Sequence, residues 1–190
     1  MAMIMNGSNN GKEDSRDEVD YLVPSSWSAE SIKLFDKLNS MTETGAWEKH
    51  VQMIRGNEHT RLFHVATKEK MFVHATFINR ESKTLLGVCQ FGPWTEGGAG
   101  LVHGGAIATM HDTMAGNLAH ALYGLLVTAN LNVNFQKGVP LGQTVALEAA
   151  VVDVDRRKVR ILSKITSSNK EVVYGDASTL MVMIPHYSRL

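Results

Sequence analysis

The sequence predicts an α+β fold in which an antiparallel sheet packs against one long helix. Segments with the residue pattern of strands come in runs on both sides of a single helical pattern, whereas regular alternation of strands and helices would indicate a parallel sheet. The 190 residues suffice for one domain with a substantial core, and 44% of them are hydrophobic. No internal repeat or low-complexity tract suggests another architecture.

The first 23 residues are mostly polar and are expected to form a disordered tail. Residues 1–20 hold five acidic and two basic side chains, unlike a signal peptide or an arginine-rich mitochondrial presequence. The single cysteine, Cys89, excludes an internal disulfide, suits a reducing compartment and lies in an apolar run typical of a buried thiol. An intracellular location is expected, cytoplasmic for this chain alone and mitochondrial where a targeting segment has been removed.

An N-terminal helical extension is expected over residues 24–60. Apolar residues recur at helical spacing from Ile32 to Met41 and predict a helix there. Ser28, just before them, can cap its N-terminus. After a polar stretch, Trp47 and Val51 indicate a second helical turn.

The remaining residues, 61–190, are expected to form the main domain. A glycine-rich loop at residues 92–100 is followed by one long helical pattern from Gly105 to Tyr123. β-Branched and aromatic residues predict strands before and after this helix. The predicted strands are 62–65, 72–78, 85–91, 127–136, 144–154, 159–166 and 172–184.

Charge and hydropathy exclude several classes of partner. Lysine and arginine together number 19, as do aspartate and glutamate, so no overall field attracts nucleic acid or an anionic membrane. No apolar run reaches the ~20 residues that span a bilayer. Neither a nucleic-acid partner nor a transmembrane segment is therefore expected.

The long helix carries a carboxylate among small residues. On a helical wheel one side is bulky, the opposite side consists of glycine and alanine, and Asp112 lies at the centre of that small side. Desolvation penalises a charged carboxylate in such surroundings. The residues alone leave two alternatives, a catalytic carboxylate or a structural aspartate that bonds to a neighbouring subunit.

The segment His103-Gly104-Gly105 precedes this helix. Free N–H groups at a helix N-terminus favour negative charge, so the Gly104 region could form an oxyanion hole; an ordinary glycine-rich turn is the alternative. Gly104 and Asp112 are about 12 Å apart along a helix. One substrate carbonyl group would meet both only if they came from different subunits, which predicts a two-fold dimer.

Together these motifs resemble the PaaI-type thioesterases of the hotdog superfamily. The resemblance rests on HGGAIATM, which begins at His103, on Asp112, on VTANLNVNF, which begins at Val127, and on VPL at 139–141. The motifs GPWTEG and VPSSW also resemble the animal long-chain acyl-CoA thioesterase superfamily members four and five. The resemblance extends over residues 21–184.

The resemblance implies a hotdog fold, an antiparallel sheet wrapped around one long central helix, here with the N-terminal helical extension. It implies an acyl-CoA thioesterase of fatty acid metabolism that hydrolyses medium- to long-chain fatty acyl-CoA without a cofactor or metal. It also implies a homodimer, and dimers could pair further. Because some relatives are linked to kinase signalling, the alternative is a non-catalytic hotdog protein that regulates a signalling partner such as a protein kinase.

The resemblance also assigns roles to residues around the helix. Asp112 matches the catalytic carboxylate of the family, which acts as general base or as direct nucleophile. Gly104 matches the oxyanion donor, with His103 before it, and Thr128 matches the residue that positions the attacking water. His111 occupies a position that is usually apolar in relatives, and a histidine on the flank of the helix is its plain interpretation.

Substrate contacts are implied at Asn134, Gln136, Arg157 and Lys158. Relatives often have lysine where Gln136 stands, so that a phosphate contact there is lost or passes to Lys137. The two basic residues fall in a predicted hairpin turn with a third cation, and such a turn could hold nucleotide phosphates. By alternation, a mostly solvated strand face is expected to hold Thr128, Asn130, Asn132, Asn134 and Gln136.

Other catalytic classes lack their motifs. The sequence has no HExxH or paired-cysteine pattern for a metal, no Gly-x-Ser-x-Gly and no complete phosphate-binding loop. A hydratase of the same fold needs an acid and a base arranged across two carbons of the substrate. A glycine-rich donor with one carboxylate suits hydrolysis better.

Overall fold

The computed structural model describes residues 26–50 and 71–184. The predicted polar tail and the predicted strand at 62–65 lie outside the described residues. The boundaries proposed for the tail, the helical extension and the main domain stay predictions. Within the described part of the chain, no helix is long and apolar enough to cross a membrane.

Within the described residues, seven strands form one antiparallel sheet in the order β1-β2-β3-β5-β6-β7-β4. Most strand bounds agree with the sequence prediction to within two residues. The last strand in this order, β4, lies at an edge of the sheet. The strands are β1 (Glu48–His50), β2 (Phe72–Asn79), β3 (Thr84–Phe91), β4 (Leu126–Phe135), β5 (Thr144–Asp155), β6 (Lys158–Ser167) and β7 (Val173–Met183).

The central helix α2 (Gly104–Tyr123) packs across the inner face of this sheet. Its bulky side is buried, with Met110, Met114 and Leu118 fully enclosed by core residues of the strands. Burying each such side chain contributes about 1.5–3 kcal/mol. The predicted α+β architecture, an antiparallel sheet around one long helix, is confirmed.

The N-terminal helix α1 (Ala29–Ser40) packs on the outer face of the sheet. The Ser28 side chain accepts a hydrogen bond from the Ser31 N–H, as the predicted cap requires. Phe35 and Leu38 are buried against β2 and β3. This helix leaves the outer face of β6, β7 and β4 uncovered by the described residues.

The second helical turn predicted near Trp47 is wrong. Glu48–His50 is a strand, β1, and Glu48 pairs with Ile78 at the edge of β2. A single isolated turn gains too little to offset the cost of helix nucleation, whereas an open sheet edge offers the backbone ready partners. Val51, the other residue of that prediction, lies outside the described residues.

Candidate active site

The N-terminus of α2 is capped by the side chain of His103. Its Nδ1 accepts the Gly105 N–H at 2.9 Å. No described residue accepts a hydrogen bond from the Gly104 N–H, which is therefore free to bind an oxyanion. A Cβ at Gly105 would lie 2.9 Å from the same His103 nitrogen. The close contact between this cap and the backbone explains why glycine stands at position 105.

About two turns further along α2, the carboxylate of Asp112 contacts a hydroxyl of β4. Thr128 of β4 donates from Oγ1 to Asp112 Oδ1 at 2.7 Å, and the same hydroxyl lies 3.3 Å from the Met181 sulfur. Asp112 is half-buried and Thr128 exposed. No other described residue donates to this carboxylate, so Oδ2 has no donor among them. The structure thus brings together two residues that the sequence placed in one site.

Thr128 does not share a strand face with the asparagines of β4, contrary to the prediction from alternation. The pairing of β4 with β7 shifts by one residue between Thr128 and Asn130, whose partners are Met181 and Leu180. Consecutive residues of β7 point to opposite faces. The β-bulge therefore turns Thr128 inward to the helix and the following polar residues outward.

Asn134 and Gln136 lie on this outer face and bond to a carboxylate. Both side-chain amides donate to Asp176 of β7, that of Asn134 at 3.0 Å. The three side chains, with Arg160 and Lys164, line an open groove of about 1110 Å³. This groove lies on the opposite side of the sheet from Asp112.

The basic turn lies at the other end of β4. Arg157 and Lys158 are exposed, and the Arg157 carbonyl accepts from Met183, the partner of Leu126 at the start of β4. A ten-residue strand is about 30 Å long. Within one subunit the basic turn and Asn134 therefore cannot contact the same phosphate group. Lys137, exposed just after β4, lies at the same end of the strand as Asn134 and Gln136.

The most unexpected residue near the site is His111. Its side chain is completely buried, whereas a histidine on the flank of the helix was predicted. Nδ1 lies 2.7 Å from Ser163 Oγ of β6. Burial lowers the pKa of His111 to about 4, and the nearby charge of Asp176 opposes this shift only in part. A signal was present in the sequence, because His111 follows Ile107 by four residues on the bulky side of α2.

Two further side chains complete the surroundings. The ring of Phe135, 57% exposed at the end of β4, would lie 3.5 Å from a Cβ at Gly104, so it forms a wall beside the predicted oxyanion hole. Sequence alternation gave no sign of this contact. Cys89 is fully buried, and burial raises the pKa of its thiol, so it stays protonated and unreactive as predicted.

A sheet wrapped around one helix, with a carboxylate and a free helix N-terminus on that helix, is the arrangement of a hotdog-fold hydrolase. The family model described as "Thioesterase superfamily" matches residues 99–174. Xenopus laevis acyl-coenzyme A thioesterase THEM4 is 31% identical over 179 residues, which cover 87% of this chain and 81% of that protein. The chain belongs to the thioesterase superfamily.

Further relatives and solved structures agree with this assignment. Mouse THEM5, also an acyl-coenzyme A thioesterase, is 23% identical over 90% of this chain and 77% of its own. Zebrafish thioesterase superfamily member 2 superposes with a TM-score of 0.57 at 12% identity, over 67% of this chain and 91% of that one. A Streptococcus mutans protein bound to acetyl CoA gives 0.55 at 20% identity, over 71% and 96%. The predicted hotdog fold and thioesterase class are confirmed.

Proposed function

We propose that this enzyme hydrolyses medium- to long-chain fatty acyl-CoA to free fatty acid and coenzyme A, with Asp112 as general base. The observation that carries the proposal is the 2.7 Å hydrogen bond from Thr128 to Asp112, on a helix whose first N–H has no acceptor among the described residues. The acyl-CoA substrate is supported by the similar proteins, which are named acyl-coenzyme A thioesterases.

Thr128, Asp112 and Gly104 have separate roles in the proposed reaction. Thr128 holds one carboxylate oxygen of Asp112, which leaves the other to take a proton from water. The water oxygen bonds to the thioester carbon, and the Gly104 N–H donates a hydrogen bond that stabilises the negative charge developing on the carbonyl oxygen. When the carbon–sulfur bond breaks, the proton on Asp112 passes to the leaving thiolate of coenzyme A.

One site needs residues from two subunits. Gly104 and Asp112 both lie on α2, about 12 Å apart, which is too far for a single thioester group. One edge of β4 pairs with no other described strand. This edge offers a route to a dimer, because an exposed edge strand pairs readily with another chain. Val127 and Phe135, on this strand, are 48% and 57% exposed.

A two-fold axis through the middle of β4 would complete the site. Antiparallel pairing of two β4 strands sets the start of one beside the end of the other. Thr128 and Asp112 would then lie near Gly104 of the partner subunit. The same symmetry brings the basic turn at Arg157 towards Asn134 of the partner subunit, so that both sets could contact one coenzyme A.

Thiol release tests this function. A panel of acyl-CoAs of increasing chain length is incubated with the wild type, with Asp112→Asn and with a control, Asp36→Asn, whose side chain is exposed on α1. Turnover is expected for medium and long chains. Asp112→Asn should lower kcat by at least ~10² while substrate still binds, and Asp36→Asn should not.

Two results would contradict the proposal. Full turnover by Asp112→Asn would remove the general base. A folded wild type that is inert towards every acyl-CoA would favour the alternative, a non-catalytic regulator of a signalling partner such as a protein kinase.

A further inference from the structure

We propose that His111 is a positioning residue, which fixes the rotation of α2 through Ser163 and thereby directs Asp112 at Thr128. The inference rests on the proposed role of Asp112. It begins with a histidine that is fully buried on the core side of α2, where its helical neighbours Ile107, Met110, Met114 and Leu118 are apolar.

The imidazole of His111 spans two strands. Nδ1 is hydrogen-bonded to Ser163 Oγ of β6 at 2.7 Å. On β7 the ring lies over Gly175, where a Cβ would come 3.8 Å from Nε2 and 2.8 Å from the Asn134 carbonyl oxygen. Glycine therefore lets the β7 backbone lie close to β4, whereas a Cβ would be at ordinary contact distance from the ring.

The catalytic carboxylate is on the next residue. Successive side chains of a helix point about 100° apart, so a fixed direction at position 111 also fixes the direction at position 112. Asp112 then meets Thr128 of β4, the strand beside β7. Neighbouring contacts of α2 on β6, β7 and β4 thus set its rotation at the point where the base must face the substrate.

A buried histidine at this position lowers the stability of the fold more than an apolar side chain would. Nε2 is buried and has no hydrogen-bond partner among the described residues. A buried nitrogen without a partner lowers stability, whereas an apolar side chain of similar size would fill this space without that loss. The ring stays neutral at neutral pH and so has one donor and one acceptor nitrogen. The one hydrogen bond that it makes among the described residues goes to Ser163.

The test compares His111→Leu, His111→Asn and Ser163→Ala in thiol release and thermal unfolding. The amide of asparagine reaches the position of Nδ1 and can keep the bond to Ser163, whereas leucine cannot. We expect His111→Leu to lower kcat about 10-fold, the loss typical of a hydrogen bond that holds catalytic geometry. KM should stay within about twofold, and the unfolding temperature should be unchanged or higher.

The other variants separate positioning from packing. His111→Asn should recover most of the lost kcat, Ser163→Ala should lower kcat, and the His111→Leu/Ser163→Ala double variant should be no slower than His111→Leu alone. If His111→Leu does not fold, Ser163→Ala alone tests the proposal.

Three results would overturn the proposal. They are an unchanged kcat in folded His111→Leu and Ser163→Ala, no recovery of kcat in His111→Asn, or a loss of kcat that a smaller folded fraction explains. If Asp112→Asn is inactive while His111→Leu is fully active, only the positioning role fails; an active Asp112→Asn removes the proposed base itself.

Discussion

The Thr128 hydroxyl lies between an acceptor on the central helix and a sulfur in the core. It has one proton to donate, and the charged oxygen of Asp112 at 2.7 Å is a far stronger acceptor than the sulfur of Met181. The hydroxyl therefore holds the carboxylate in one rotamer. We propose that it orients the base, and with it the attacking water, rather than binding substrate.

Removal of this hydroxyl should slow the chemical step. Thr128→Val keeps the shape of the side chain but frees the carboxylate, so we expect kcat to fall at least about 10-fold with a smaller change in KM. Thr128→Ser should retain most activity. Thr179→Val is the matched control, because the Thr179 hydroxyl has no partner among the described residues. A Thr128→Val enzyme with normal kcat and reduced stability would make this threonine structural.

His111 should make stability depend on pH. Its pKa is lowered from 6.5 to about 4 in the folded protein, so between these values the unfolded chain binds a proton that the folded chain excludes. The free energy of unfolding should therefore fall as the pH decreases from 6.5 to 4, by up to about 3 kcal/mol from this group. Urea unfolding of the wild type and His111→Leu across this window measures the difference. An equal loss in both proteins would contradict the assignment.

The sequence identified some of these residues and missed others for physical reasons. Asp112 stands out because a carboxylate among glycine and alanine is visible on a helical wheel. The inward turn of Thr128 depends on a one-residue bulge, which alternation cannot reveal. The bonds from Asn134 and Gln136 to Asp176 join positions about forty residues apart, and such long-range pairs leave no local pattern.

At the scale of elements, β7 must lie very close to β4. A Cβ at Gly175 would lie 2.8 Å from the Asn134 carbonyl oxygen, a backbone atom that cannot rotate away. Gly175→Ala should therefore lower the free energy of unfolding by about 1–3 kcal/mol, as overpacking does. Gly98→Ala, with open space around the added carbon, should change it by less than about 0.5 kcal/mol. Equal urea midpoints for the two variants would refute the close contact.

Long elements were predictable and short ones were not. The bulky and small sides of α2 extend over twenty residues, so its period is unmistakable. By contrast, β1 has three residues and exists because β2 offers a free edge. No local pattern in three residues can encode a partner that lies almost thirty positions further along the chain.

At the scale of the whole molecule, the residues of the candidate site are divided between the two ends of β4. Asp112, the proposed base, lies near the start of β4, whereas Gly104, the proposed oxyanion donor, lies near Phe135 at its end. The predicted coenzyme A contacts are divided in the same way. Two-fold pairing of this edge strand would bring both ends together, and we therefore propose that each thioester site is shared by two subunits.

Complementation tests that claim most directly. Asp112→Asn removes the base, and Gly104→Phe fills the oxyanion hole beside Phe135; each homodimer should be nearly inactive. In a heterodimer of the two variants, one shared site carries both defects and the other carries neither. We predict that mixing and refolding restores thiol release to about half the wild-type rate per heterodimer. Heterodimers that form but show no recovered activity would contradict the account, because each subunit would then supply its own donor and base.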